Sequence, residues 1–226
     1  MNIYAHRGYS AAFPENTLAA FQGAMDLRVY GVELDIHASA DGIPVVIHDE
    51  ELERTTNGVG LVTLHTVAEL AALDAGNGQG VPTFEHVVAL ADGRLHFDIE
   101  IKGKYCEQGV LDVLSRYPQT GAAISSFDWE VLANVRALAP DFELWVLTET
   151  VSTNAIATAR DLGATTLAVS HESVTTSSME AAVGAGLGVM AWTVNTQEEA
   201  DRLRNLGVVS ICTDDPRLVR VGLSAK

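Results

Sequence analysis

GVELDIHASADGIPVVIHDE, residues 31–50, decides how the rest of the chain is read. In its first half Val32, Leu34 and Ile36 alternate with Glu33, Asp35 and His37, the period-two signature of a β-strand. Side chains two apart on a strand share a face, so Glu33 and Asp35 can reach one point just beyond the strand end. The turn Ala40-Asp41-Gly42 then reverses the chain, and Ile43 to Ile47 carries it back to His48-Asp49. A carboxylate pair thereby faces an acid-base histidine. Such a pair is ordinarily the wet face of an exposed strand. Here the later segments read as buried parallel strands, where unpaired charges cost several kcal/mol each unless ion-paired or metal-bound.

With 226 residues, 47% of them hydrophobic and 19% charged, the chain has material for a large core and no linker-like break. It reads as one domain over residues 1–226. The net charge of −16 argues against nucleic acid and against stable association with an anionic membrane, both of which need a basic footprint. Without a secretory start or a long apolar run, a cytoplasmic location is expected, and a homo-oligomer is compatible with everything read here. Cys106 and Cys212 are expected to be reduced, structural thiols.

Outward from the opening stretch, Asn2–Ala5 is a strand that delivers His6-Arg7-Gly8, and Pro14-Glu15-Asn16-Thr17 starts a helix capped by Asn16 or Thr17. Asn16 suits a cap and a ligand-facing role equally. The loop Arg54 to Gly60 is either a plain turn or a flap over a small ligand. Helices are expected over Thr66–Leu73 and Thr83–Leu90, and Leu95–Glu100 is a strand that leads to Lys102. Strands over 122–126, 142–147, 165–170, 187–192 and 208–212 then alternate with helices over 128–138, 153–162, 176–183 and 196–206. A final short helix follows Pro216. Eight strands with helices between them predict a (β/α)₈ TIM barrel with a short insertion after the second strand. His6, Arg7, Glu33, Asp35, Glu100, Lys102, Ser126 and Asp214 all fall at C-terminal strand ends, where such barrels carry their chemistry. Oxygen ligands from Glu33, Asp35 and Glu100 suit one divalent cation, Mg²⁺ or Ca²⁺, rather than zinc. His6 and His48 can exchange protons near neutral pH. Of the other histidines, His37 and His171 lie near strand ends and are secondary candidates for the pocket, whereas His96, Trp129 and Trp145 read as structural.

His6-Arg7-Gly8, Pro14 to Thr17, Glu33-Leu34-Asp35, Asp41-Gly42 with His48-Asp49, Thr56-Asn57-Gly58, Glu100-Ile101-Lys102, Ser125-Ser126-Phe127, Trp192 to Asn195 and Thr213-Asp214 resemble, in this order, the glycerophosphodiester phosphodiesterases. The resemblance spans nearly the whole chain. It implies that Glu33, Asp35 and Glu100 bind the cation and that His6 and His48 are the general acid and base. It also implies that Arg7 and Lys102 hold phosphate oxygens, that Asn16 sits close by, and that Trp192 forms an apolar wall. The implied reaction is metal-dependent hydrolysis of a small glycerophosphodiester, such as glycerophosphocholine or glycerophosphoethanolamine, to glycerol 3-phosphate and an alcohol through a cyclic phosphate.

Two rival readings stand beside it. A lipid-directed phosphodiesterase on the same barrel should show an apolar or aromatic rim, against an aromatic content of 6%. A barrel that only binds metal or phosphorylated ligands should have lost a histidine or carboxylate, and all are present.

Overall fold

The computed structural model describes residues 1–219. In chain order the first elements are β1 (Asn2–His6), α1 (Leu18–Asp26), β2 (Gly31–Ala38), β3 (Pro44–Val46), α2 (Val67–Ala72), α3 (Phe84–Ala91), β4 (His96–Ile101) and α4 (Glu107–Arg116). They continue as β5 (Gly121–Ser126), α5 (Trp129–Leu138), β6 (Leu144–Thr148), α6 (Thr153–Asp161), β7 (Thr166–Ser170), α7 (Thr176–Gly184), β8 (Gly188–Trp192), α8 (Gln197–Leu206) and β9 (Ser210–Thr213). All neighbours pair in parallel except β3, which runs antiparallel along the end of β2, and β1 pairs with both β2 and β9. The sheet therefore closes into an eight-stranded (β/α)₈ barrel, with β3 as an appendage. The turn after Pro216 is described as far as Val219, and the remainder of the expected terminal helix lies outside the described residues. Among the described residues no helix is long and apolar enough to cross a membrane.

The helices start where the sequence offers caps. Thr17, Thr66, Thr83, Asp128, Ser152, Thr175 and Thr196 each accept a hydrogen bond from a first-turn amide, a contribution of about 1 kcal/mol apiece. At α4 the cap position is Cys106, which makes no such bond. Outward-facing strand residues pack against these helices in the main core, which includes Val32, Leu34, Ile36, Phe97 and Ile99. Phe84 of α3 meets Phe97 edge-on at 6.3 Å, and truncating such a side chain to Ala costs about 3–5 kcal/mol.

Inward-facing residues form a separate cluster of Tyr4, Ala123, Trp145, Leu147, Ala168, Met190 and Cys212. Its lower layer is aromatic: Tyr4 donates or accepts at 2.9 Å with Nδ1 of His96, and Trp145 stacks on that same ring. His96 and Trp145 thus fill the structural roles expected of them. Gly31 is required at the start of β2, because a Cβ there would lie 2.4 Å from the His96 carbonyl oxygen. The barrel is filled below, and the charged cluster of Glu33, Asp35, Glu100, Arg7 and Lys102 gathers at the C-terminal mouth.

The insertion between β2 and α3 has its own small core of Val45, Ile47, Leu52, Val62, Leu70, Ala75 and Val81. Its glycine-rich loop folds back onto this core: a Cβ at Gly58 would lie 2.7 Å from the Leu73 side chain. Of that loop, Arg54 alone bonds toward the barrel mouth among the described residues.

Candidate active site

Register brings the carboxylates together. Glu33 on β2 is paired with His6 on β1 and Asp98 on β4, and one layer higher Asp35 is paired with Glu100. Because β2 and β4 are covered on both faces, Glu33, Asp35 and Glu100 are buried at 6%, 0% and 9% exposure, yet one oxygen from each lies within 4.8 Å of the others. Burial, with Asp35 and Glu100 alongside, pushes the Glu33 carboxyl well above the usual range, and burial and Asp35 raise Glu100 as well. Asp35 moves the other way. Burial would raise it, but Lys102 and Arg7 lie close and Asn16 donates to it at 2.8 Å, which together hold it below the usual carboxylate range. Deeper in the barrel, burial pushes Asp98 up to about 7, with Ser125 donating to it at 2.7 Å.

This donor set fits a hard divalent cation. The oxygen separations are within what two ligands about 2.0–2.6 Å from one ion can span, and crowded buried carboxylates are relieved by positive charge. Oδ1 of Asp35 and Oδ1 of Asn16, two residues in contact with one another, are buried with no hydrogen-bond partner, so acceptors are left unused here.

The loop from β1 to α1 carries Arg7 and Asn16, both in the left-handed region, at φ 55° and 57°. Gly8 lets the loop press onto α1, since a Cβ at its φ of +79° would lie 2.7 Å from the Ala20 carbonyl carbon. The Arg7 amide donates to Glu33 at 3.0 Å, its Nη1 donates to Glu15 at 2.8 Å, and its Nε lies 3.4 Å from Asp35. Lys102 Nζ donates to Glu100 at 2.8 Å and lies 3.6 Å from Asp35. Both cations line the cavity while tied to carboxylates.

Each histidine is backed by a carboxylate at Nδ1. For His6 it is Asp214, at 2.6 Å, and for His48 it is Asp49, at 2.5 Å. A carboxylate there accepts the Nδ1 proton and leaves Nε2 as the atom that exchanges protons; Nε2 of His6 is 3.9 Å from Glu33. Burial lowers His48 below its ordinary value. For Asp214, burial pushes the pKa up, but the hydrogen bonds led by that from His6 bring it below the usual range. His48 is placed by backbone: the Ile47 amide donates to the Asp35 carbonyl at 3.0 Å, and His37 Nε2 holds the His48 carbonyl at 3.1 Å.

These groups surround a cavity of about 230 Å³ that contains His6, Arg7, Glu33, His48, Glu100, Lys102 and Trp192 from the sequence expectations. Asp35 and Asn16 do not line it; Asn16 donates to Asp35, which lies against the lining residues Arg7 and Lys102. His37 and His171 do not join it: His37 braces the hairpin, and His171 pairs with Glu199 at 2.8 Å. Ser126 bonds the Ile101 carbonyl at 2.7 Å instead of facing the cavity. The sequence reading missed Phe127, Leu147, Glu149 and Met190 on the far wall, the bracing role of Asp49 and Asp214, and the part played by Arg54. For Asp49 a signal existed, its place directly after His48.

The arrangement can hold a phosphodiester against two cations and a metal, with a proton-transferring atom from each of two histidines. The model of the glycerophosphoryl diester phosphodiesterase family matches residues 6–218. A glycerophosphodiester phosphodiesterase of Caldanaerobacter subterraneus subsp. tengcongensis is 34% identical, with 97% of this chain and 98% of that protein covered. One of Bacillus altitudinis is 32% identical, with 97% of each covered. Among solved structures, an Oleispira antarctica phosphodiesterase in complex with the product sn-glycerol-3-phosphate superposes with a TM-score of 0.92 at 28% identity, covering 96% of this chain and 94% of its own. Barrel closure, strand-end chemistry and these likenesses agree: the chain belongs to the glycerophosphoryl diester phosphodiesterase family.

Proposed function

We propose that the protein, as one domain, hydrolyses glycerophosphodiesters to glycerol 3-phosphate and an alcohol, with a divalent cation held by Glu33, Asp35 and Glu100. The observation that carries this reading is the pair of carboxylate-backed histidines, His6 with Asp214 and His48 with Asp49, at one mouth with three buried acids and two cations. The product named for the Oleispira antarctica neighbour supports the same substrate class.

Arg7 and Lys102 exchange carboxylate contacts for phosphoryl oxygens and orient the diester, with Asn16 steadying Asp35 beneath. Nε2 of one histidine takes the proton of the glycerol hydroxyl as its oxygen bonds to phosphorus, and Nε2 of the other protonates the departing alcohol oxygen. Water then opens the cyclic phosphate with the two roles reversed. When bound, Mg²⁺ or Ca²⁺ would supply a Lewis acid for the charge developing on the phosphoryl group. Trp192 shields one side from water.

The test is release of glycerol 3-phosphate from glycerophosphocholine by the purified protein with chelator, then with Mg²⁺ or Ca²⁺ restored. Metal-restored release supports the reading, and no release from folded protein under either metal rejects it.

A further inference from the structure

The cavity has two unlike halves. His6, Arg7, His48 and Lys102 stand on the side of β1, β2 and β4, whereas Phe127, Leu147, Glu149, Met190 and Trp192 come from the ends of β5, β6 and β8 across the mouth. Phe127 and Trp192 meet edge to face, with centroids 5.8 Å apart at 80°, so they present aromatic surface at an angle to one another. Between their strands Glu149 lines the same space. The cavity's other carboxylates have donors: Glu33 from the Arg7 amide, Asp98 from Ser125 and Glu100 from Lys102. Glu149, exposed at the rim, has no such donor: no hydrogen bond or ion pair reaches it among the described residues.

A carboxylate without a counterion beside two aromatic rings is complementary to an alkylammonium group, which gains from the negative charge and from the ring faces. A neutral polyol can donate hydroxyl hydrogen bonds to that carboxylate but gains neither the charge attraction nor the ring faces, and an anionic head group is repelled. With its phosphate on Arg7 and Lys102, a diester has one arm on the histidine side and the other across the cavity against this wall, and the alcohol arm is assigned to the latter. We infer that Phe127, Trp192 and Glu149 form a subsite for cationic head groups, so that diesters of amino alcohols are preferred over those of polyols. This rests on the activity proposed above and narrows its substrate class.

The test compares kcat/KM for glycerophosphocholine, glycerophosphoethanolamine and glycerophosphoglycerol, read as glycerol 3-phosphate release by the full chain and by Glu149→Gln. Wild type should favour the two ammonium substrates, and Glu149→Gln should lower the ammonium-to-polyol ratio about tenfold, mainly through KM. Phe127→Leu should lower the choline preference in the same direction. A ratio unchanged by Glu149→Gln overturns the subsite even if all three diesters are cleaved. Failure to cleave any of them rejects the activity instead, and the subsite is then judged by calorimetric titration of tetramethylammonium. Heat with wild type but not with Glu149→Gln supports it, and no heat with either overturns it.

Discussion

Asp214 and His6, 208 residues apart in sequence, meet at 2.6 Å between Oδ1 and Nδ1, and the same carboxylate accepts from Asn195 at 2.6 Å through Oδ2. An amide at 214 cannot accept from both donors, because one contact becomes donor against donor. Asp214→Asn should therefore lower kcat about 10- to 100-fold with little change in KM, part of the ~10²–10⁴ that a positioned acid or base supplies. Steady-state kinetics on glycerophosphocholine check it, and an unchanged kcat would show that His6 needs no such brace.

Arg54 ties the insertion to the braces of both His48 and Arg7. It reaches Asp49 at 2.5 and 3.0 Å and Glu15 at 2.8 and 3.1 Å, and Glu15 in turn holds Arg7. Arg54→Met should lower kcat roughly tenfold, equivalent to about 1.4 kcal/mol of lost positioning. Added guanidinium should restore part of it, and Arg54→Lys should fall between. Stopped assays with and without guanidinium decide the matter, and no rescue with normal thermal stability would remove Arg54 from the positioning network.

Glu33 is raised by burial and by its acidic neighbours, so its ionised form works against folding. Glu33→Gln should raise Tm in chelator by about 2–4 °C, corresponding to about 1 kcal/mol in a chain of this size. The same change should abolish both metal-dependent turnover and the Tm increment on adding Mg²⁺ or Ca²⁺. His6→Ala should lose about 10²–10⁴ in kcat yet keep that increment. Differential scanning calorimetry with and without metal separates the two variants.

Glu199 is held at about 2, chiefly by hydrogen bonds from Arg202 and then His171. Its folded value lies below the ordinary 4.5, so its contribution is fully present above about pH 4.5 and is lost as pH falls toward 2. Solvent exposure keeps the effect modest. Urea midpoints should show Glu199→Gln less stable than wild type at pH 7, with the gap shrinking at pH 3. A gap that widened on acidification would contradict the assignment.

The barrel was legible because β2 announces itself twice, by its alternation and by charges that only a strand end can use. Caps such as Thr17 and Thr196 fixed helix starts. α4 carries no cap bond and holds Gly109, which leaves its start unmarked. β6 begins at Leu144 rather than Phe142, since Phe142 packs against the core before strand pairing starts. Glu33 and Asp35 could be grouped from the chain alone, since strand spacing sets their common face, and Glu100 was readable as a strand-end acid whose place beside Asp35 is set by the β2–β4 register. Asp214 was readable as a strand-end acid, but its pairing with His6 exists only once β9 closes against β1. His171 lies at a strand end too, yet Glu199 on α8 draws it away. Glu149 had no neighbouring motif to mark it.

His48 is fixed before the insertion begins. The Asp35 carbonyl holds the Ile47 amide at 3.0 Å, the Pro82 carbonyl holds Val46 at 2.9 Å, and Val45 bridges to Thr83. The excursion over 49–82 thus leaves and rejoins the barrel at almost the same place, behind a histidine already anchored to the strand that carries Glu33 and Asp35. Its length and shape can be exchanged, as a module, without re-registering the mouth, provided that a replacement again covers Val45 and Ile47 and supplies a cation where Arg54 grips Asp49 and Glu15.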